Sequence, residues 1–413
     1  MDRRDFLKNL FKVAAYSQAA GLADAFSSDV NADKRSGKGP QVIRRPYKRT
    51  GLTLPLLGFG CMRLPEKDGR IDHAAAEAMI GRAMEHGCNY FDTAYIYEGS
   101  EEFLGQALSK YPRDSYYLTS KMPIHTLKSE ADLERIFREQ LRRTRAGYFD
   151  FYLMHWLNKP HWETAKQLKV WEFLEKRKSE GKIRRIGFSF HDEPELLDEI
   201  AQAHPWELVQ IQLNYLDWDT CRSREMYEVL TRRGIPVAVM EPVKGGMLAA
   251  LPECVRKIFL EADPERSVAS WALRFAASLP NVQIVLSGMS SMEQTEDNLR
   301  TFISFTPLTE VERGTVEDAV AEFRRTSAVP CTGCRYCRSC PHGVDIPRNL
   351  ALFNQVKVQK QPGHAGMVYK AMTEHERAAN CIGCGTCVKR CPQQLDIPAL
   401  LKETAQCFKP RSS

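Results

Sequence analysis

Apolar and polar positions follow two alternating periods over the first three quarters of the chain. Short, almost continuously apolar runs recur: LLGFG (56–60), NYFD (89–92), YYLTS (116–120), DFYLM (150–154), RIGFS (185–189), LVQIQL (208–213), IPVAVM (235–240) and VQIVLS (282–287). Between them lie stretches such as HAAAEAMIGRAMEHG and LKVWEFLEKRKSEGK, whose apolar residues return at helical spacing. Strands without a polar face suit a parallel sheet buried on both sides. Eight such strands alternating with helices predict an α/β fold, a (β/α)8 TIM barrel. The segment YKRTGLTLP (47–55) ahead of the first strand predicts a hairpin across the bottom of that barrel.

Past residue 308 the pattern changes, and cysteine becomes the informative residue. Eight of the 13 cysteines fall in two runs, Cys331, Cys334, Cys337 and Cys340-Pro341, then Cys381, Cys384, Cys387 and Cys391-Pro392. The second run has the C-x2-C-x2-C-x3-C-P spacing of bacterial iron–sulfur sites; the first is one residue shorter before its last cysteine. Three thiolates at i, i+3 and i+6 converge on one cubane, and in two-cluster ferredoxins the fourth ligand comes from the other run. On that logic one [4Fe-4S] cluster takes Cys331, Cys334, Cys337 and Cys391, and a second takes Cys381, Cys384, Cys387 and Cys340. Structural zinc would leave a third in-step cysteine surplus in each run. Disulfides require an oxidising compartment and would set neighbouring thiols in competition. Iron–sulfur is therefore the favoured reading over both. Both runs continue C-P-x-x-x-D-I-P into an apolar helical pattern, with helical character from Asn349 to Ala379 between them. This resembles the α-helical type of ferredoxin domain, in which helices carry both ligand runs. The scattered Cys61, Cys88, Cys221, Cys254 and Cys407 read as core filler.

Composition adds limits. With 413 residues, 43% hydrophobic and 27% charged, the chain is an ordinary globular one with room for two or three domains. No apolar stretch is long enough to span a bilayer. The net charge of +6 gathers in Lys34, Arg35, Lys38, Arg44, Arg45, Lys48 and Arg49, read as a solvated linker before the fold begins. No nucleic-acid motif accompanies it. The opening M-D-R-R-D-F-L-K resembles a twin-arginine export signal, with Ala23-Asp24-Ala25 as a small-residue cleavage site. A periplasmic or otherwise exported protein is expected on that basis; a vestigial signal would leave it cytoplasmic.

Active sites of such barrels lie at the C-terminal ends of the strands. The second strand ends in Asp92, with Tyr97 in the following loop; the third ends in Lys121 and the fourth in His155. With GCNYFDTAYIYEGSEE, TSK, LMHW and GMSSMEQTEDNL, residues 47–305 resemble the aldo-keto reductases. The resemblance implies a catalytic tetrad of Asp92, Tyr97, Lys121 and His155. Hydride addition to a carbonyl builds negative charge on oxygen and calls for a proton. A tyrosine, ordinarily titrating near ~10, becomes a useful acid beside a lysine ammonium that stabilises its phenolate.

The resemblance also places a nicotinamide cofactor, NADP(H) or NAD(H). Ser189 and Gln210 fall where family members hold the carboxamide, and Met240 falls where many stack a tyrosine on the ring. Phe190 replaces a frequent asparagine. In EPVKGGM, Lys244 and Gly245 are expected near the pyrophosphate; Gly288, Gln294 and Asn298 belong to the final phosphate-side signature, ahead of a helix starting near Met292. Gln294 replaces a basic residue of many NADPH-specific members, which implies weaker selectivity for the 2′-phosphate, with a lean to NADP.

The expected organisation is 1–25 signal segment, 26–46 basic linker, 47–308 barrel and 309–413 iron–sulfur domain. The expected activity is reversible carbonyl/alcohol interconversion on a small molecule, with the clusters either relaying electrons to a redox partner protein or bracing the C-terminal domain. The competing reading is a barrel without turnover, acting as a docking module for an electron-transfer protein.

Overall fold

The computed structural model describes residues 39–47, 51–326, 329–337, 340–357 and 362–409. The twin-arginine segment, its cleavage site, and Lys34, Arg35, Lys38, Lys48 and Arg49 lie outside the described residues. Chain contacts divide the protein into two compact units, of which the first holds residues up to Leu213, Arg222–Met240 and Ala276–Thr306.

The first unit opens with an antiparallel hairpin, β1 (Arg44–Tyr47) and β2 (Leu52–Pro55). Strand β3 (Leu57–Gly60) follows, then a small hairpin of β4 (Glu66–Lys67) and β5 (Arg70–Ile71). The remaining strands are β6 (Tyr90–Asp92), β7 (Tyr117–Met122), β8 (Phe151–Leu157), β9 (Ile186–Phe190), β10 (Leu208–Gln212), β11 (Val237–Met240) and β12 (Val282–Ser287). Strand β3 and β6 through β12 form a closed eight-stranded barrel, every pairing parallel, with β12 returning to β3. All eight apolar runs of the sequence are strands of this barrel. Among the described residues no helix is long and apolar enough to cross a membrane.

At the barrel's base the inward side chains of the strands meet the hairpin. Tyr47, Leu54, Tyr90, Tyr117, Phe151, Leu208, Ala238 and Ile284 form one buried cluster. Here the expected linker is corrected: residues up to 46 do not all precede the fold. Arg44 and Arg45 belong to β1, and Arg45 is only 6% exposed. Its guanidinium donates to the carbonyls of Ala277 (2.9 Å), Leu279 (3.1 Å) and Val282. Burial lowers its pKa to about 10, still charged at neutral pH, so a buried cation ties the hairpin to the carbonyls leading into β12.

The second unit is assembled from Asn214–Cys221, Glu241–Phe275 and residues from Pro307 onward. The partition therefore departs from the expected boundary at 308/309, because two loops that follow β10 and β11 pack with the C-terminal helices. Helix Glu310–Arg325 is tied to this group by Arg274, which is 1% exposed and donates to Glu312 (2.5 Å). Helices Ile346–Lys357, Pro362–Ala371 and Ile397–Cys407 enclose a core of Val344, Ile346, Leu350, Phe353, Ile397 and Leu401. The repeated Asp-Ile-Pro explains how two of these helices start. Asp345 and Asp396 accept from the backbone N–H three residues on, while Ile346 and Ile397 are buried (1% each). Proline in the first turn gives up no needed donor.

Candidate functional site

At the barrel rim, the C-terminal ends of β6, β7 and β8 bring three polar side chains together. Lys121 is 1% exposed, and its Nζ donates to Asp92 Oδ1 (2.5 Å) and to the Thr93 carbonyl (2.8 Å). Burial pushes the Asp92 carboxyl up, and the Lys121 charge opposes that shift. Tyr97 lies over this pair, with the Lys121 Nζ 4.9 Å from its ring centroid. Its loop is fixed locally: Tyr97 N–H donates to Ala94, Ser100 N–H donates to Tyr97, and the Ser100 and Thr93 hydroxyls are 2.8 Å apart. His155 faces the tyrosine edge-on, ring centroids 5.9 Å apart, and is buried with Nδ1 unpartnered among the described residues. Burial, then the Lys121 charge, holds His155 well below the ordinary histidine range, so its imidazole is neutral. All four residues of the expected tetrad are thus adjacent.

Beside them stands a group with no motif in the sequence. Strand β8 runs two residues past His155, and its pairing with β9 shifts register between Met154 and Leu157, with Trp156 at φ 59°. This irregularity turns Trp156 toward His125 (5.4 Å), His161 (5.3 Å) and His191 (6.4 Å), and His125 lies 6.4 Å from His155. Burial lowers His125 and His191 to about 4. The only sequence signal was that each of these residues closely follows a strand.

Ser189 and Gln210 occupy paired positions on β9 and β10 and are buried. Ser189 Oγ accepts the Trp156 N–H (2.8 Å), which leaves its own hydrogen to donate. Gln210 Oε1 is buried without a partner among the described residues. One donor and one open acceptor side by side fit a carboxamide. Near the end of β12, Asn298 donates to Ser287 Oγ (2.8 Å), Ser291 caps helix Met292–Ile303, and Gln294 folds back to accept the Ser290 N–H (2.8 Å). Arg63, which the sequence reading passed over, lies 3.5 Å from where a Cβ on Gly288 would stand. Met240 closes β11, half-buried.

Lys244 and Gly245 are placed differently from the expectation of phosphate contacts. Lys244 is 1% exposed, paired with Asp217 and bonded to Gln393. Gly245 (φ 64°) approaches the Thr332 carbonyl so closely that a Cβ would stand 2.1 Å from it. Its freedom is used against a protein backbone.

In the C-terminal region, one pocket is lined by Cys331, Cys334, Cys337 and Cys391, and another by Cys340, Cys381, Cys384 and Cys387, with Cys337 lining both. Each pocket thus brings together one of the exchanged quartets read from the spacing, and Cys337 stands at their border. Burial pushes the Cys331 thiol up to about 11 and Cys337 up to about 12, and their own neighbouring cysteines add to the rise. Cys387 is raised by burial and by Cys381, Cys384 and Cys340. Thiols crowded like this favour cations that take them as thiolates. Among the described residues no group of three or more His, Cys, Asp or Glu is gathered for a single metal ion. A cubane spreads its thiolates over four irons, so its ligands stand farther apart than those of one zinc.

A closed parallel barrel with polar groups at the strand C-termini is the enzyme barrel whose chemistry happens at that rim. Residues 56–321 match the aldo/keto reductase family, and residues 330–395 match the 4Fe-4S dicluster domain. Similar proteins include an aldo-keto reductase of Mycolicibacterium vanbaalenii, 29% identical over 60% of this chain and 83% of that protein. The NADH-specific methylglyoxal reductase of Escherichia coli is 30% identical over 49% of this chain and 68% of its own length. Among solved structures, the holo form of an aldo-keto reductase from Bacillus halodurans superposes with TM-score 0.57 at 28% identity, covering 68% of this chain and 96% of that one. The chain belongs to the aldo/keto reductase family. It is an NAD(P)-dependent oxidoreductase that also carries a 4Fe-4S dicluster domain for electron transfer.

Proposed function

We propose that the barrel reversibly reduces a small-molecule carbonyl to an alcohol, with Tyr97 as the proton donor. The observation that carries this reading is the Lys121–Asp92 pair buried under the Tyr97 ring (2.5 Å and 4.9 Å). When bound, the nicotinamide supplies the hydride. Lys121 stabilises the phenolate left when the Tyr97 hydroxyl gives its proton to the substrate oxygen, and Asp92 keeps the ammonium in place. His155, neutral, brings an N–H to the same oxygen without adding a second charge. Ser189 and Gln210 would hold the carboxamide, Met240 would cover the ring, and Gly288, Gln294 and Asn298 would line the phosphate side. Gln294 adds no charge there and is occupied with Ser290, so NADP(H) is proposed with weak discrimination against NAD(H).

The C-terminal domain is proposed to hold two [4Fe-4S] clusters on the exchanged quartets and to pass electrons to a redox partner protein. Export by the twin-arginine route is proposed from Arg3, Arg4, Phe6 and Leu7, a route suited to a chain folded around its clusters beforehand. Replacing Tyr97 by Phe tests the chemistry: turnover is expected to fall by about 10²–10⁴-fold with nicotinamide affinity unchanged. Unimpaired turnover would overturn that role for Tyr97, whereas a barrel that binds neither NADPH nor NADH would favour the reading of a docking module.

A further inference from the structure

The loop after β11 holds a buried cation that the carbonyl chemistry does not use. Lys244 Nζ donates to Asp217 Oδ1 (2.5 Å), and the side chains of both are 2% exposed. It also donates to Gln393 Oε1, two residues beyond Cys391. The next residue, Gly245, packs on the carbonyl of Thr332, which directly follows Cys331. Two contacts from one loop therefore land on both turns that supply the first quartet.

We propose that Lys244 and Asp217 form an opposed charge pair that sets the reduction potential of the cluster held by Cys331, Cys334, Cys337 and Cys391, with Gln393 fixing the ammonium. Lys244 is then a positioning residue for that cluster and not a pyrophosphate ligand. Reduction adds one electron to the cluster and breaks no bond, so the whole change is one negative charge in a buried site. A cation nearby favours the reduced form and a carboxylate disfavours it, and away from water neither is well screened. The other quartet lies on a more open turn, with Cys384 exposed and Ile382 66% exposed, where solvent screens charge. The pair should therefore act on one cluster of the two. This rests on the dicluster domain and not on the carbonyl reaction.

The test is an anaerobic redox titration of the loaded full-length protein, followed by electron paramagnetic resonance, with dithionite as the electron source. In Lys244→Met one of the two reduction steps should move to lower potential, because Asp217 is left uncompensated. In Asp217→Asn the same step should move to higher potential. The paired replacement Lys244→Met with Asp217→Leu should fall between them, and the second step should stay in place throughout. Iron and sulfide per chain confirm loading; if Lys244→Met does not load, Asp217→Asn, which keeps the shape, carries the sign test. Shifts of the same sign in both single variants, equal movement of both steps, or no movement would overturn the proposal. NADPH affinity should stay within twofold in Lys244→Met, and its loss would return Lys244 to the cofactor. No turnover is measured, so failure of the Tyr97 chemistry leaves this result readable.

Discussion

Gly245 and Lys244 show how one short sequence, V-K-G-G, can be read for the wrong neighbour. Glycine beside a lysine on a loop is suited to phosphate, and the sequence offers no hint of another occupant. Here the close approach is to the Thr332 carbonyl, and the ammonium is bonded to Asp217 and Gln393, all distant in the chain. Asp217 and Gln393 carry no motif, so only the fold could reveal them. Asp92, Lys121 and His155 were legible because barrel geometry fixes where a strand end must be, and Tyr97 because it follows β6 within one tight loop. Substituting Ala for Gly245 is expected to cost at least about 1–2 kcal/mol for the left-handed backbone alone, with the clash added. Thermal unfolding should record a lower midpoint and iron content should fall; an unchanged midpoint with full iron would show that Thr332 yields easily.

Among elements, the eight strands could be read from apolar runs because burial on both faces leaves few polar positions to interrupt them. The hairpin was expected over 47–55 and begins at Arg44; its arginines look like linker until the carbonyls they satisfy are visible. Nothing in the sequence marks the register shift in β8, since a bulge is a matter of pairing and not of residue type. That shift gathers His125, His155, His161 and His191 about Trp156, and burial lowers the pKa of each. The consequence for pH has a definite sign. His125 and His191 move from an ordinary 6.5 to about 4, so below pH 6.5 the unfolded chain takes up protons that the folded chain refuses. Their contribution to stability is complete above pH 6.5 and is lost as pH falls toward 4. Unfolding midpoints should be flat above neutrality and decline through this window, and His125→Phe should lessen the decline. A midpoint that rises on acidification would contradict the burial of these rings.

At the scale of the molecule, two-electron hydride chemistry and one-electron clusters share a chain, and the partition of contacts bears on how. The second unit draws Asn214–Cys221 and Glu241–Phe275 from between the strands of the barrel. Removing iron is expected to loosen this unit first, because the buried Cys337 is part of its core and Cys331, Cys340, Cys381, Cys387 and Cys391 pack against it. Hydrogen exchange after anaerobic chelation should lose about tenfold protection or more in helices Ile346–Lys357 and Ile397–Cys407, while β3 and β6–β12 keep theirs. Equal protection with and without iron would mean that the helices stand alone. The Lys244–Asp217 pair carries a consequence of another kind. Gene fusion is usually pictured as two portable modules joined by a string, each able to return to independent life. Cutting this gene at codon 308 would give a product that keeps Lys244 and Asp217 but lacks Gln393 and Thr332, leaving a polar bond and a glycine contact without their other halves. Neither piece of such a cut would be a finished module, and each would need repair at that loop before it could stand alone.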